Sequence, residues 1–452
     1  MPTTPVTAIL SDFCRGIRYE DLPFEASEVA KHCLMDWLGV TIAGSSEPLA
    51  VMLRDEVLAD GGVAQATLFG TGQRVTAKQA ALVNGAASHA LDFDDVHLAM
   101  SGHPSVPIWP ALLALAEWRG GSGRDVLTAF AAGYEMECRI GMLVMPSHYS
   151  TGFHSTGTLG AFGAAAACAH LLGFDSEQWG RTMGIAGAQA AGLKSMFGTM
   201  CKPLHAGKAA TNGLFAALMA ERGFTSNPEV LETVQGFAAT QSSGPNVERA
   251  LAGLGDHYCV RDTLFKYYAA CYGTHESING VFYIKDDHKL RPEDIDRIDL
   301  VVPEGHLLMC NIEQPATGLE GKFSLRYAAS LAMFEMDAAE SRFTNEYVKR
   351  EDIGAMMQRV HVTPQTGDWE RGTRVTVRTR SGATYEEQVN LNIPATDLQD
   401  QEAALNSKFV SLTEGLLGRR DAQKLAEQIM ILEEEPEVGQ MLALATSGSK
   451  VA

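Results

Sequence analysis

From about Thr7 to Thr263 apolar residues recur at helical spacing, as in EASEVAKHCLMDWLGVTIAG and GRDVLTAFAAGYEMECRIGMLV, and Gly closes many of the segments. The pattern predicts a large helical domain. Two stretches, GTLGAFGAAAACAHLLG and GIAGAQAAGL, are so rich in Gly and Ala that their helices are expected to pack backbone to backbone. No strand precedes those glycines and no GxxxxGK follows them, so close packing explains them better than a phosphate loop. After Lys266 the period changes. IDRIDLVVP, QRVHVTP and TRVTVRTRSGATYEEQV alternate and carry β-branched residues, the last turning at Ser381-Gly382. Helical stretches such as EGKFSLRYAASLAMF lie between them, which predicts a small α+β unit. Helical periodicity returns after Asn392-Ile393-Pro394, in QEAALNSKFVSLTEGLL and RRDAQKLAEQIMIL. The expected fold is therefore mainly α. An all-helical domain is built from residues 1–264 and 395–452, with residues 265–394 inserted as an α+β lid. There is no internal repeat, and the closing ATSGSKVA reads as a frayed tail.

Length and charge narrow the function. A chain of 452 residues exceeds one ordinary core. Lys+Arg 36 against Asp+Glu 55 gives a formal charge of −19, which repels nucleic-acid backbones and anionic membrane surfaces and excludes both as partners. An anionic ligand would need local cations against that field, so each Lys in an apolar setting draws interest. The N-terminal MPTTPVTAILSDFCRG has no basic region followed by an apolar run, so a cytoplasmic protein is expected. The run Leu159 to Leu172 is too short to span a bilayer and reads as a buried helix. Eight scattered cysteines without a CxxC pair predict reduced thiols and no iron–sulfur cluster.

The densest chemistry lies in ALDFDDVHLAMSGHPS, residues 90–105. Read as helix through its first half, His89, Asp92, Phe93 and Val96 share one face and Asp94 and His97 another, so the imidazoles and carboxylates cannot all converge on one point. On that reading Asp94 and Asp95 form a solvated helix end, while Asp92 falls on the apolar face and needs a partner or a function. His103, between Gly102 and Pro104, sits on a loop joining two helices. Three further segments place Gly, His and Lys at helix boundaries. GFHSTGTLG sets His154 before a Gly/Ala helix whose amides would receive an anion. TMCKPLHAGKAA clusters Lys202, His205 and Lys208 at a helix entrance, and LFKYYAACYGTHES puts Lys266 and His275 at the domain junction. Each lysine alone reads as a surface charge. Together they suit a small polycarboxylate, with Lys202, Lys208 and His275 as substrate-binding candidates. The matching chemistry is proton transfer at a carbon next to a carboxylate, where imidazoles act as acid or base and cations hold the enediolate.

The strings DFDDVH…GHPS, FHSTGTLGAFGAAAA, CKPLHAGKAA, FKYYAACYGTH and NIEQPATGLEGKFSLRYAAS, in that order, resemble the MmgE/PrpD family, whose members include 2-methylcitrate dehydratase, cis-aconitate decarboxylase and iminodisuccinate epimerase. The resemblance implies a homodimer with the active site between a helical domain and a lid, and neither metal nor organic cofactor. It also implies catalytic roles for Asp92 and His103, a second active-site histidine at His154, and carboxylate-binding or proton-transferring lysines at Lys202 and Lys266. His275 falls in a further family motif. One departure stands out: the family's Thr after the paired acids is Val96 here, followed by His97, so a hydroxyl is missing.

Four functions follow from this reading. The first is a cofactor-independent lyase of the 2-methylcitrate dehydratase type acting on a small di- or tricarboxylate. An iminodisuccinate-type epimerase or cis-aconitate-type decarboxylase on the same scaffold is the second. A metal-dependent hydrolase using Asp94 and His97 is the third, and a catalytically silent binding protein the fourth.

Overall fold

A computed structural model describes residues 4–335, 338–366 and 372–446. The described chain is mainly α-helical and divides into two compact units. The first draws on Met1–Ala90, Asp94–Phe265 and Ala395–Ala452, the second on Leu91–Phe93 and Lys266–Pro394. Leu91–Phe93, which the sequence reading keeps in the helical domain, thus groups with the second unit. Residues 447–452 of the expected tail lie outside the described residues.

In the first unit small residues set the spacing of the helices. Gly160–Leu171 is buried on every side through Ala169, as its uninterrupted Gly/Ala sequence requires. A Cβ added at Gly85 would lie 2.8 Å from Gly207 Cα, and one at Gly213 would lie 2.5 Å from Ala164 Cβ. Helices Ala77–Ser88, Gly160–Leu171 and Cys201–Glu221 therefore touch through their backbones. Two of their ends carry chemistry: His89 follows the first helix, and Lys202 and His205 open the last. Starts are fixed by capping boxes, Thr76 with Gln79 and Ser122 with Asp125. The C-terminal helix Leu398–Leu417 returns to Phe24–Gly44, where Gly39 makes room for Phe409, Lys408 Nζ meets Asp36 at 2.6 Å and Gln401 Nε2 donates to His32 at 2.9 Å.

The unit is not all-helical, however. Ala66–Thr67 pairs antiparallel with Arg74–Val75 across a turn in which Gly70 and Gly72 take φ of +76° and +73°. Four residues of ladder leave too short an alternation to register in a sequence pattern.

The second unit holds a four-stranded sheet in the order Val360–Pro364, Ile295–Val302, Thr373–Thr379, Thr384–Val389, parallel at the first pairing and antiparallel at the others. Ile295, Ile298, Leu300 and Val302 are buried, as are Val375 and Val377. Helix Tyr272–His288 lies against this sheet at Gly280, where a Cβ would stand 2.4 Å from Val375 Cγ2. The predicted Ser381-Gly382 turn closes the last hairpin, with Gly382 at φ +91°. Among the described residues no helix is long and apolar enough to cross a membrane. All eight cysteines are free thiols.

Candidate active site

The helix Ala77–Ser88 stops at His89, and the chain beyond it is not helical. Asp92 and Ser101 have φ of +52° and +48°, a left-handed conformation no α-helix contains. Val96 instead exchanges backbone hydrogen bonds with Leu264, and His97 with Gly102. The expected helix through residues 90–97 is therefore corrected, and with it the placing of His89 and Asp94 on different faces.

They do meet. His89 Nδ1 lies 2.9 Å from each Asp94 oxygen. His103 Nδ1 lies 3.0 Å from Asp94 Oδ2 and 2.8 Å from the Asp95 carbonyl oxygen. Asp94 is completely buried, where a solvated helix end was expected. Burial alone would raise its carboxyl, but His89 and His103, whose ring nitrogens face it, favour the ionised form, outweigh burial and hold the group well below the usual range. An ionised carboxylate only accepts, so each imidazole facing it carries its proton on Nδ1. A ring so protonated and otherwise neutral keeps a lone pair on Nε2. Burial drives His89 down to about 4, the Lys202 and His103 charges adding to the effect and Asp94 opposing it.

A second imidazole pair adjoins the first. His154 Nδ1 is 2.9 Å from His205 Nδ1, so one ring donates and the other accepts. The His154 ring stacks on His89 at 5.9 Å and 19°, with Phe197 edge-on at 5.0 Å. Burial, then the neighbouring charges of His89, Lys202, His205 and His103, push His154 well below the ordinary histidine value. Lys202 is buried in the first turn of Cys201–Glu221, its Nζ 5.3 Å from the Phe197 ring centroid. Lys208, further along that helix, is exposed. After His154 the chain turns into the short helix Ser155–Thr158, in which the Gly157 and Thr158 amides donate to the His154 carbonyl and the Leu159 amide to that of Ser155.

In the second unit Lys266 Nζ donates to the Asp92 carbonyl oxygen at 2.7 Å and to Asp92 Oδ1 at 3.1 Å. Lys322, which the sequence reading passed over, donates to the Leu91 carbonyl at 2.6 Å and to Glu340 Oε2 at 2.7 Å. Two buried lysines thus grip consecutive carbonyls of 91–92 and hold Asp92 in its left-handed turn. The signal for Lys322 was a lysine embedded in the apolar stretch GKFSLRYAAS. His275 is buried on the first turn of Tyr272–His288, Nε2 to the Ala270 carbonyl at 3.2 Å, between the Tyr268 and Tyr272 rings.

The structure thus gathers His103, His154 and Lys202 with three residues to which the sequence reading assigned no part in proton transfer, His89, Asp94 and His205, and pairs Asp92 with Lys266. His97, by contrast, is structural. Its Nδ1 accepts from the Ala99 N–H at 3.1 Å and its Nε2 lies 2.9 Å from the Cys259 carbonyl, while burial lowers it to about 4. With both nitrogens used, His97 offers no ligand beside Asp94. His89, Asp94 and His103 do bring donor atoms within 4.8 Å of one another. Their 2.9–3.0 Å spacings are those of N–H···O bonds, so a cation there would first displace both Nδ1 protons. Replacing His97 by Ala is expected to lower stability by about 1–3 kcal/mol, since the Cys259 carbonyl loses its buried partner, with kcat within about threefold of wild type. Urea unfolding and turnover, measured side by side, check this.

Two buried carboxyls behind the imidazoles are raised. Burial pushes Asp95 up to about 8, against hydrogen bonds from Ser105 Oγ and N–H. Glu137 is fully buried, and among the described residues neither oxygen has a hydrogen-bond partner. Burial raises it well above the ordinary value. The folded state thus keeps a proton that the unfolded chain releases above about 4.5. Each such group therefore removes stability as pH rises through that point. Glu137→Gln is expected to match wild type at pH 4 and to exceed it by more than about 1.4 kcal/mol, the equivalent of one pKa unit, at pH 8. Urea midpoints at the two pH values decide; equal midpoints at pH 8 would mean an ionised, partnered Glu137.

Linked imidazoles can carry protons, and buried lysines can hold carboxylates. The chain belongs to the MmgE/PrpD family: the model of the MmgE/PrpD N-terminal domain matches residues 8–250 and that of the C-terminal domain residues 268–434. It is 26% identical to the cis-aconitate decarboxylase-like protein oryM of Aspergillus oryzae, over 98% of each chain. It is 23% identical to a cis-aconitate decarboxylase of Aspergillus terreus, over 97% of this chain and 95% of that one. The human cis-aconitate decarboxylase is 27% identical over 79% of this chain and 76% of its own. The family and these relatives support the lyase class.

Proposed function

We propose that the protein is a cofactor-independent lyase that moves a proton at the carbon next to a carboxylate of a small di- or tricarboxylate. The observation that carries this reading is the shared carboxylate: Asp94 holds His103 and His89 by Nδ1, within ring contact of the His154–His205 pair and beside Lys202. In this reading His103, its proton held at Nδ1, exchanges a proton with the reacting carbon through Nε2. Lys202 receives a substrate carboxylate, and His154 is the second proton carrier. Asp92 and Lys266 serve the same reaction, with Lys208 and His275 kept as binding candidates.

Between the two lyase outcomes, decarboxylation is the better supported, because relatives matching almost the whole chain carry that name. Val96 offers no hydroxyl to bind a hydroxylated carbon, which weakens the dehydration expected from sequence. Epimerisation is favoured by one observation: two separate imidazole pairs supply two proton carriers.

The test is a panel of cis-aconitate, citrate, 2-methylcitrate and an iminodisuccinate precursor in deuterated buffer, followed by NMR and by CO₂ release. CO₂ with a deuterated product supports decarboxylation, an unsaturated product without CO₂ supports dehydration, and deuterated substrate alone supports epimerisation. No turnover and no exchange on any of them would overturn the reading. Full activity after exhaustive chelation, and a solution mass of two chains, are expected for the metal-free homodimer.

A further inference from the structure

We propose that His89 is a positioning residue, which acts on the reaction by keeping Asp94 charged and so holding His103 in its Nδ1-protonated form. The proposal rests on the reading of His103 as a proton carrier. Its basis is the division of one carboxylate between two rings. His89 Nδ1 is 2.9 Å from both oxygens and takes the larger share; His103 has Oδ2 at 3.0 Å. Asp94 is fully buried, so water does not replace a lost donor.

His103 also has a second acceptor, the Asp95 carbonyl at 2.8 Å. If Asp94 took up a proton, its carboxyl would become a donor and its claim on the His103 N–H would fail. His103 would then be held by the Asp95 carbonyl alone. The charges that bear on this balance are His89, His103 and Asp95 around Asp94, and Lys202, His103 and His154 around His89. Burial, with Lys202 and His103 adding to it, disfavours a second proton on His89, which therefore faces Asp94 as a neutral donor.

His89→Leu removes that N–H, whereas His89→Asn restores one, its amide nitrogen standing near the place of Nδ1. With the wild-type protein as reference, two readouts separate positioning from mere packing. In the first, kcat is followed against pH with whichever carboxylate of the panel is turned over. His89→Leu is expected to move the acid limb up by about one pH unit or more, since Asp94 protonates sooner, with KM changed less than about threefold. His89→Asn is expected to move the limb back toward wild type. In the second, ¹⁵N-histidine NMR, with His103 assigned through His103→Gln, is expected to show one Nδ1-protonated tautomer in wild type and His89→Asn, and a mixture in His89→Leu. If His89→Leu does not fold, His89→Phe keeps the ring volume without the N–H and takes its place.

An unmoved acid limb, or an unchanged His103 tautomer in the variant lacking the N–H, overturns the proposal. If no carboxylate is turned over, the functional reading fails, yet the NMR comparison still decides whether His89 fixes His103.

Discussion

Replacing His103 by Ala is expected to lower kcat by about two to four orders of magnitude, the range lost when a positioned acid–base group is removed, and to leave the fold intact. The two halves of that expectation have separate causes. His103 is partly open to solvent, with 14% of its side chain exposed, so deleting its ring empties little of the core. Its backbone N–H still donates to Thr156 Oγ1 at 3.1 Å, and Asp94 keeps both contacts from His89. Lys202 is untouched, so KM is expected to change far less than kcat. The measurement is steady-state kinetics beside thermal unfolding, with His288→Ala as a control: that ring stacks on Tyr385 in the second unit. A His103→Ala enzyme within tenfold of wild type, or a His288→Ala enzyme equally impaired, would remove His103 from the reaction.

That this histidine could be singled out before its surroundings were known, while its partners could not, follows from where the information lies. The Gly–His–Pro stretch marks a loop by local chemistry alone. The Ser381-Gly382 hairpin and its alternating flanks were legible for the same reason, as were the long helices with their apolar stripes. The chain from His89 to Asp95 is decided elsewhere. ALDFDDV has nothing in itself against helix, and what bends it away is the grip of Lys266 and Lys322 on the carbonyls of Asp92 and Leu91 from 174 and 231 residues along the chain. Beyond that turn Asp94 lies within hydrogen-bond reach of His89 and His103, and Asp95 within reach of Ser105. A helical wheel puts those groups on opposing faces because it assumes the conformation that distant lysines forbid. His205 was within sight, one turn from Lys202, but only the position of His154 shows what it touches.

The same grip yields the largest expected effect on stability. Lys266 and Asp92 have side-chain exposures of 1% and 4%, so water solvates neither charge. Lys266→Met leaves the Asp92 carboxylate buried without its ammonium and frees the carbonyl that fixes a φ of +52°. Breaking a buried pair from one side costs about 3–5 kcal/mol. Asp92→Asn is expected to cost less. Asn tolerates the left-handed turn, and Lys266 keeps the 2.7 Å bond to the backbone carbonyl. The double variant, in which neither charge remains, is expected to recover much of the loss seen in Lys266→Met, because removing both partners of a buried pair is often close to neutral. Urea unfolding of the three variants closes a double-mutant cycle with a coupling of about 2 kcal/mol or more. Additive losses would mean that Lys266 stabilises the turn through the carbonyl alone and that the charge of Asp92 is balanced by other groups.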